Sequence, residues 1–124
     1  MIQRLDEVML YVNDQETAKA FWTEKLDFVV TSDTEDHGMR TIVLRPSNDA
    51  QTGIVLHNKQ KIQDLDLGIS TETPSLMFAT DAIDDLYQTF KDKGITVGEL
   101  VEMPQGRVFN FADEENNYFA VKQV

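Results

Sequence analysis

From Leu5 to Val12, apolar Val8, Leu10 and Val12 alternate with Glu7, Met9 and Tyr11, which is the period-two pattern of a strand with one apolar face. Asn13-Asp14-Gln15-Glu16 then supplies a helix cap with an acid in the first turn, and Ala18, Phe21, Trp22 and Leu26 fall on one helical stripe. Phe28 to Thr31 reads as a second strand, Ser32 to Gly38 as a polar turn region, and Met39 to Arg45 as a third strand stopped by Pro46. After a loop from Ser47 to Thr52, Gly53 to His57 is a fourth strand. The order is βαβββ.

A polar connector from Asn58 to Thr73 separates this unit from a second one that opens at Pro74 with the strand Ser75 to Thr80. Asp81 is placed to cap a helix on which Ile83, Leu86, Tyr87 and Phe90 share a stripe. Asp84 stands in the capping-box position, and Gly94 is the expected left-handed stop. Ile95 to Val101 is extended, and Gly106 to Ala112 and Asn117 to Gln123 are strands, so βαβββ recurs. Ala18/Phe21/Trp22 map onto Ile83/Leu86/Tyr87 at an offset of about 65 residues. The expected fold is therefore α+β, with two tandem βαβββ modules forming curled mixed sheets around a concave cavity and helices on the outer face. Residues 1–57 form the first module, 58–73 the connector and 74–124 the second, all within a single domain of 1–124. Each sheet by itself leaves its concave face unsatisfied, and two modules can cover it within one chain or across a homodimer.

The residues that repeat this plan resemble the vicinal oxygen chelate superfamily, which includes glyoxalase I, extradiol dioxygenases and the fosfomycin- and bleomycin-resistance proteins. The resemblance is carried by Leu5-Asp6-Glu7-Val8-Met9-Leu10-Tyr11-Val12, Ala20-Phe21-Trp22 with Leu26-Asp27-Phe28, Ser75 to Asp84, and Phe111-Ala112-Asp113-Glu114-Glu115-Asn116-Asn117-Tyr118. Two turns depart from the family pattern, with Asp27 in place of glycine and Asp113-Glu114-Glu115-Asn116 in place of Asp-Pro-Asp-Gly. Asp and Asn both accept the left-handed conformation such turns need.

In metal-dependent members the resemblance implies a divalent cation held from the first and last strands of each module, acting as a Lewis acid on adjacent substrate oxygens. The corresponding positions here are Glu7, Val55 or His57 two residues later on the same face, Ser75, and Ala120. Only Glu7 and His57 are strong donors, too few for an enzyme-type site, so no cofactor is expected beyond a weakly bound divalent metal. Glu7 is also the candidate general base; its structural alternative is a strand carboxylate paired with Arg4, Arg40 or Arg45. His57 has the alternative of a strand-end histidine bonded to a backbone carbonyl.

Without a metal, the concave face is a binding surface. Alternation assigns Met9, Tyr11, Val55, Met77, Ala79, Tyr118 and Ala120 to it, beside Glu7, His57 and Ser75, an apolar lining with a few polar groups. The same side chains can simply fill the interior. Trp22 is read as core and His37 as a solvated turn residue.

Charge narrows the partners. The chain has 124 residues with 22 acidic and 11 basic side chains, a net of −11, which leaves no basic face for nucleic acid and no cationic surface for anionic lipid. The acids concentrate late, with 10 acidic and 7 basic residues in 1–62 but 12 and 4 in 63–124. Solubility accounts for that excess; the sharper alternative is a bias towards cationic ligands. The absence of cysteine removes thiolate chemistry and disulfides, and the N-terminal residues lack a secretory pattern, which points to the cytoplasm.

The expected protein is a cytoplasmic homodimer that binds a small organic molecule without catalytic metal, as bleomycin-resistance-type members do. The competing readings are a divalent-metal-dependent glyoxalase-like lyase or isomerase using Glu7 and His57, and a module that binds another protein.

Overall fold

A computed structural model describes residues 1–104 and 106–124, in two compact units, Met1–Thr73 and Pro74–Val124. The first unit contains β1 (Glu7–Val12), α1 (Gln15–Ala20), β2 (Val29–Asp36), β3 (Met39–Arg45), β4 (Gly53–Asn58) and α2 (Lys59–Asp64). Its sheet has the order β1-β4-β3-β2, with β1 parallel to β4 and the other pairs antiparallel. The second unit contains β5 (Met77–Thr80), α3 (Ile83–Asp92), β6 (Thr96–Val97), β7 (Val101–Met103), β8 (Gly106–Ala112) and β9 (Tyr118–Gln123). It repeats the arrangement as β5-β9-β8-β6, with β7 also on β8 and β5 parallel to β9. The expected α+β architecture of two tandem repeats is present, with the extended segment after α3 of the second repeat divided into the short strands β6 and β7.

In the first unit Leu10, Val12, Ile42, Leu44, Ile54 and Leu56 are buried on one side of the sheet, and Ala18, Phe21 and Trp22 are the buried helical residues. Gln15 ties helix to sheet, its side-chain amide donating to the carbonyls of Arg40 (2.7 Å) and Leu56 (2.9 Å). Asp14 caps α1 as expected, accepting from the Thr17 amide at 3.0 Å. Past Ala20 the helix widens into a π-turn, Phe21–Lys25, and Asp27 follows in the left-handed region at φ 61°.

In the second unit Phe109, Phe111, Phe119 and Val121 are buried together with Ile83 and Phe90 of α3, and Phe90 meets Phe111 edge-on at 5.2 Å. Each such side chain contributes about 1.5–3 kcal/mol by leaving water. Asn116, at φ 63°, makes the last turn, and the buried Asp113 carboxylate accepts from the amides of Glu115 and Asn117 and the Asn117 side chain, each at 2.9 Å.

Several local expectations change. Ser32 to Asp36 is not a turn but the outer half of β2, because Thr34, Glu35 and Asp36 pair with Thr41, Arg40 and Met39; only His37 and Gly38 turn, both at positive φ. The connector holds α2, whose Ile62 is buried and whose cap is Asn58. β5 begins at Met77, two residues after Ser75. The side chain of Asp81 does not cap α3. That role falls to Gln123, whose Oε1 accepts from the Ile83 amide at 2.9 Å, a partner 40 residues away. No helix among the described residues is long and apolar enough to cross a membrane.

Candidate functional site

Each sheet buries one face under its helix, and the other face carries the expected site residues except Ser75. In the first unit the parallel register sets Glu7 opposite Gly53, Met9 opposite Val55 and Tyr11 opposite His57, while β3 adds Val43 beside Val55 and Thr41 beside His57. Residues directly opposite in a ladder share a face, so Glu7, Met9, Tyr11, Val55 and His57 do lie together, with an apolar row (Met9, Val55, Val43) between two polar ones. The polar row at Glu7 contains Arg45, whose guanidinium lies over Gly53. A Cβ there would meet the guanidinium carbon at 3.1 Å, and one of its nitrogens donates to Thr31 Oγ1 at 2.8 Å.

None of the three expected arginines forms an ion pair with Glu7. Arg4 takes Asp6, Arg40 takes Asp33 and Glu16, and Arg45 takes Thr31. His57 is not held by a backbone carbonyl among the described residues; it stacks on Tyr11, ring centroids 5.8 Å apart. Its half-buried position pushes its pKa below the ordinary 6.5, and the negative charge of Glu7 pulls partly the other way. Trp22 is 1% exposed, a core residue, and His37 is exposed in the hairpin turn beside Asp36.

In the second unit Met77 lies opposite Ala120, and Ala120 opposite Asn110, with Tyr118 and Ala79 on the same face. Met77 is 54% and Tyr118 59% exposed, against 2% for Phe119 on the helix side of the same strand. Ser75 is exposed and lies outside β5, so it does not join this ladder. Two face residues went unrecognised in the sequence, Arg45 and Lys122. Both stand in the correct alternation phase at strand ends, where the pattern is easily read as solvent-facing charge.

Within the first unit the expected donors do not by themselves form a divalent-cation site. Glu7 and His57 are four register positions apart, about 13 Å along the strands, and the positions beside Glu7 are Gly53 and Val55. Among the described residues no group of three or more His, Asp or Glu stands together to hold a metal.

The sequence profile described as the Glyoxalase/Bleomycin resistance protein/Dioxygenase superfamily matches residues 4–121. The chain is 30% identical over 124 residues to YetH of Bacillus subtilis (strain 168), covering 99% of this chain and 100% of that protein. Among solved structures it is similar to TnmS3, an antibiotic binding protein from Streptomyces sp. CB03234, at 25% identity and a TM-score of 0.83, covering 98% of this chain and 96% of that one. A superfamily member from Sphaerobacter thermophilus DSM 20745 superposes with a TM-score of 0.84 at 27% identity, covering 99% and 98%.

Proposed function

Because the chain belongs to the Glyoxalase/Bleomycin resistance protein/Dioxygenase superfamily, we propose that it is a small-molecule-binding protein of the antibiotic-binding kind, with the helix-free faces of its sheets as ligand-contacting surfaces and no catalytic metal. The observation that carries this reading is the apolar, uncovered face of the second sheet, where Met77 and Tyr118 are more than half exposed on a face without a helix. Large apolar side chains held on a rigid sheet and left open to water are what an apolar ligand or a second subunit covers. The similarity to an antibiotic binding protein over nearly the whole chain favours the ligand. The protein acts as a cytoplasmic homodimer in this reading.

Thermal-shift and calorimetric titration with a panel of antibiotics tests it. A saturable rise in melting temperature that Met77→Glu and Tyr118→Ser abolish supports the proposal, and a panel without any binder overturns it. Elemental analysis of untagged protein tests the metal-free part, which stoichiometric metal would contradict.

A further inference from the structure

Among the described residues, the open face of the second sheet carries one charged side chain, and its sign is opposite to that of the chain. Lys122 lies on the central strand β9, directly between Ala79 of β5 and Val108 of β8, with Val101 of β7 beyond Val108. The neighbours in its own row are thus aliphatic, and no Asp or Glu occupies a position of this face among the described residues. The flanking residues Val121 and Gln123 point to the helix side, one buried in the core and the other bonded to the first turn of α3.

Lys122 is half-buried, and in a chain with 22 acidic side chains no carboxylate among the described residues is within ion-pair distance of it. The contrast with Arg107 is direct. That residue, on the helix side of the adjacent β8, is matched by Asp84 at 2.6 Å and Glu102 at 3.7 Å. A lysine whose stem lies among aliphatic neighbours and whose ammonium has no counter-charge gains no ion-pair stabilisation within the chain. It is well suited to receive an anion from outside, because a charge-assisted bond from an unpaired ammonium is stronger than one between neutral groups.

We propose that Lys122 is the anchoring group for an anionic oxygen on an otherwise apolar ligand, an aromatic or alicyclic organic acid whose ring body lies along Ala120, Met77 and Tyr118. This rests on the small-molecule reading above and deepens it by giving the ligand a sign. Lys122 and Tyr118 are four residues apart on one strand, about 13 Å, which accommodates a body of two or three fused or linked rings. An organic cation of the same shape is disfavoured on this face by the ammonium. The chain-wide negative charge therefore does not predict the charge of the ligand.

Two fluorescent probes that share a ring system separate the effects: anilinonaphthalenesulfonate, which carries the anion, and neutral N-phenylnaphthylamine. Both are titrated into the folded protein, with near-ultraviolet circular dichroism confirming that each variant retains native packing. The sulfonate dye should bind about tenfold or more tightly to the native protein than to Lys122→Met, with Lys122→Arg retaining binding and salt weakening it. The neutral dye should bind Lys122→Met as well as it binds the native protein. Val108→Glu, which sets a carboxylate directly beside Lys122, should cause the same selective loss and serves if Lys122→Met does not fold. Equal affinity of the native protein and Lys122→Met for the sulfonate dye overturns the proposal. Binding of the neutral dye without preference for the sulfonate overturns the role of Lys122 while leaving the small-molecule reading standing; failure of both dyes to bind overturns the two together.

Discussion

The rings of Tyr11 and His57 lie nearly parallel across the β1–β4 pair, centroids 5.8 Å apart and planes inclined by 21°. The contact follows from register, since the parallel ladder sets the two residues directly opposite each other on the face away from the helix. A phenol ring over the imidazole excludes water from that side, which opposes protonation. The carboxylate of Glu7, further along the same face, favours it but does not compensate fully.

His57 is therefore expected to titrate below 6.5, and Glu7→Gln to lower its pKa further by removing the attraction. The folded state disfavours the imidazolium, so the His57 contribution to stability is present above 6.5 and lost as pH falls through the depressed value. Two-dimensional NMR of the imidazole C–H resonances across the acid range measures both values. A pKa at or above 6.5, or one that rises in Glu7→Gln, would refute this account.

Asp33 joins β2 to α1 and β3. It accepts from Arg40 at 2.9 and 2.8 Å and from Lys19 at 2.9 Å, and those cations hold its carboxyl well below the ordinary carboxylate range. Asp33→Asn should lower the urea midpoint at neutral pH. Because a depressed carboxylate pKa stabilises above the unfolded value of 3.8 and ceases to do so as pH falls through the folded one, the deficit should shrink in strong acid. Urea denaturation at neutral and acidic pH checks the trend; a deficit that grows on acidification would exclude it.

Gln123 caps α3 from a strand, so Gln123→Ala should destabilise the second unit by about 1 kcal/mol, in the range of a lost N-cap. Gln123→Glu retains the acceptor and adds a negative charge at the helix start, and should cost less. Chemical denaturation followed by far-ultraviolet circular dichroism compares the two; an equal loss in both would place the effect elsewhere than in the hydrogen bond.

Gly53 leaves room for the Arg45 guanidinium. Gly53→Ala would bring a methyl to 3.1 Å of its central carbon, and since the obstacle is the end of a flexible side chain, the arginine should swing away with little change in stability. Loss of the bond to Thr31 Oγ1, seen as a shifted Arg45 side-chain N–H resonance at a nearly unchanged melting temperature, is the expected result. A large drop in melting temperature would show that Arg45 cannot move.

Local periodicity and turn chemistry carried much of the fold. The alternation in β1, β3 and β8, the Asp14 cap, and the left-handed turns at Asp27, Gly94 and Asn116 depend on neighbours a few residues away, so the chain displays them directly. The repeat of βαβββ follows from the same signals, and alternation placed Glu7, Met9 and Tyr11 on one face and Tyr118 and Ala120 on another. What depended on pairing was not legible. The acidic tail of β2 looked like a turn because its strand character comes from Thr41, Arg40 and Met39 across the hairpin, and the methyl of Ala82 at the start of α3 cannot accept a hydrogen bond, so the acceptor comes from the distant Gln123. Register also decided that Val55, not His57, is the next side chain on β4 beyond the Gly53 that faces Glu7, and that Lys122 stands between Ala79 and Val108 with no carboxylate beside it. The sequence determined which residues share a face, because strand alternation is a property of one segment. Only the tertiary structure decided which of them meet, because neighbours across a sheet are set by long-range pairing that no single segment contains.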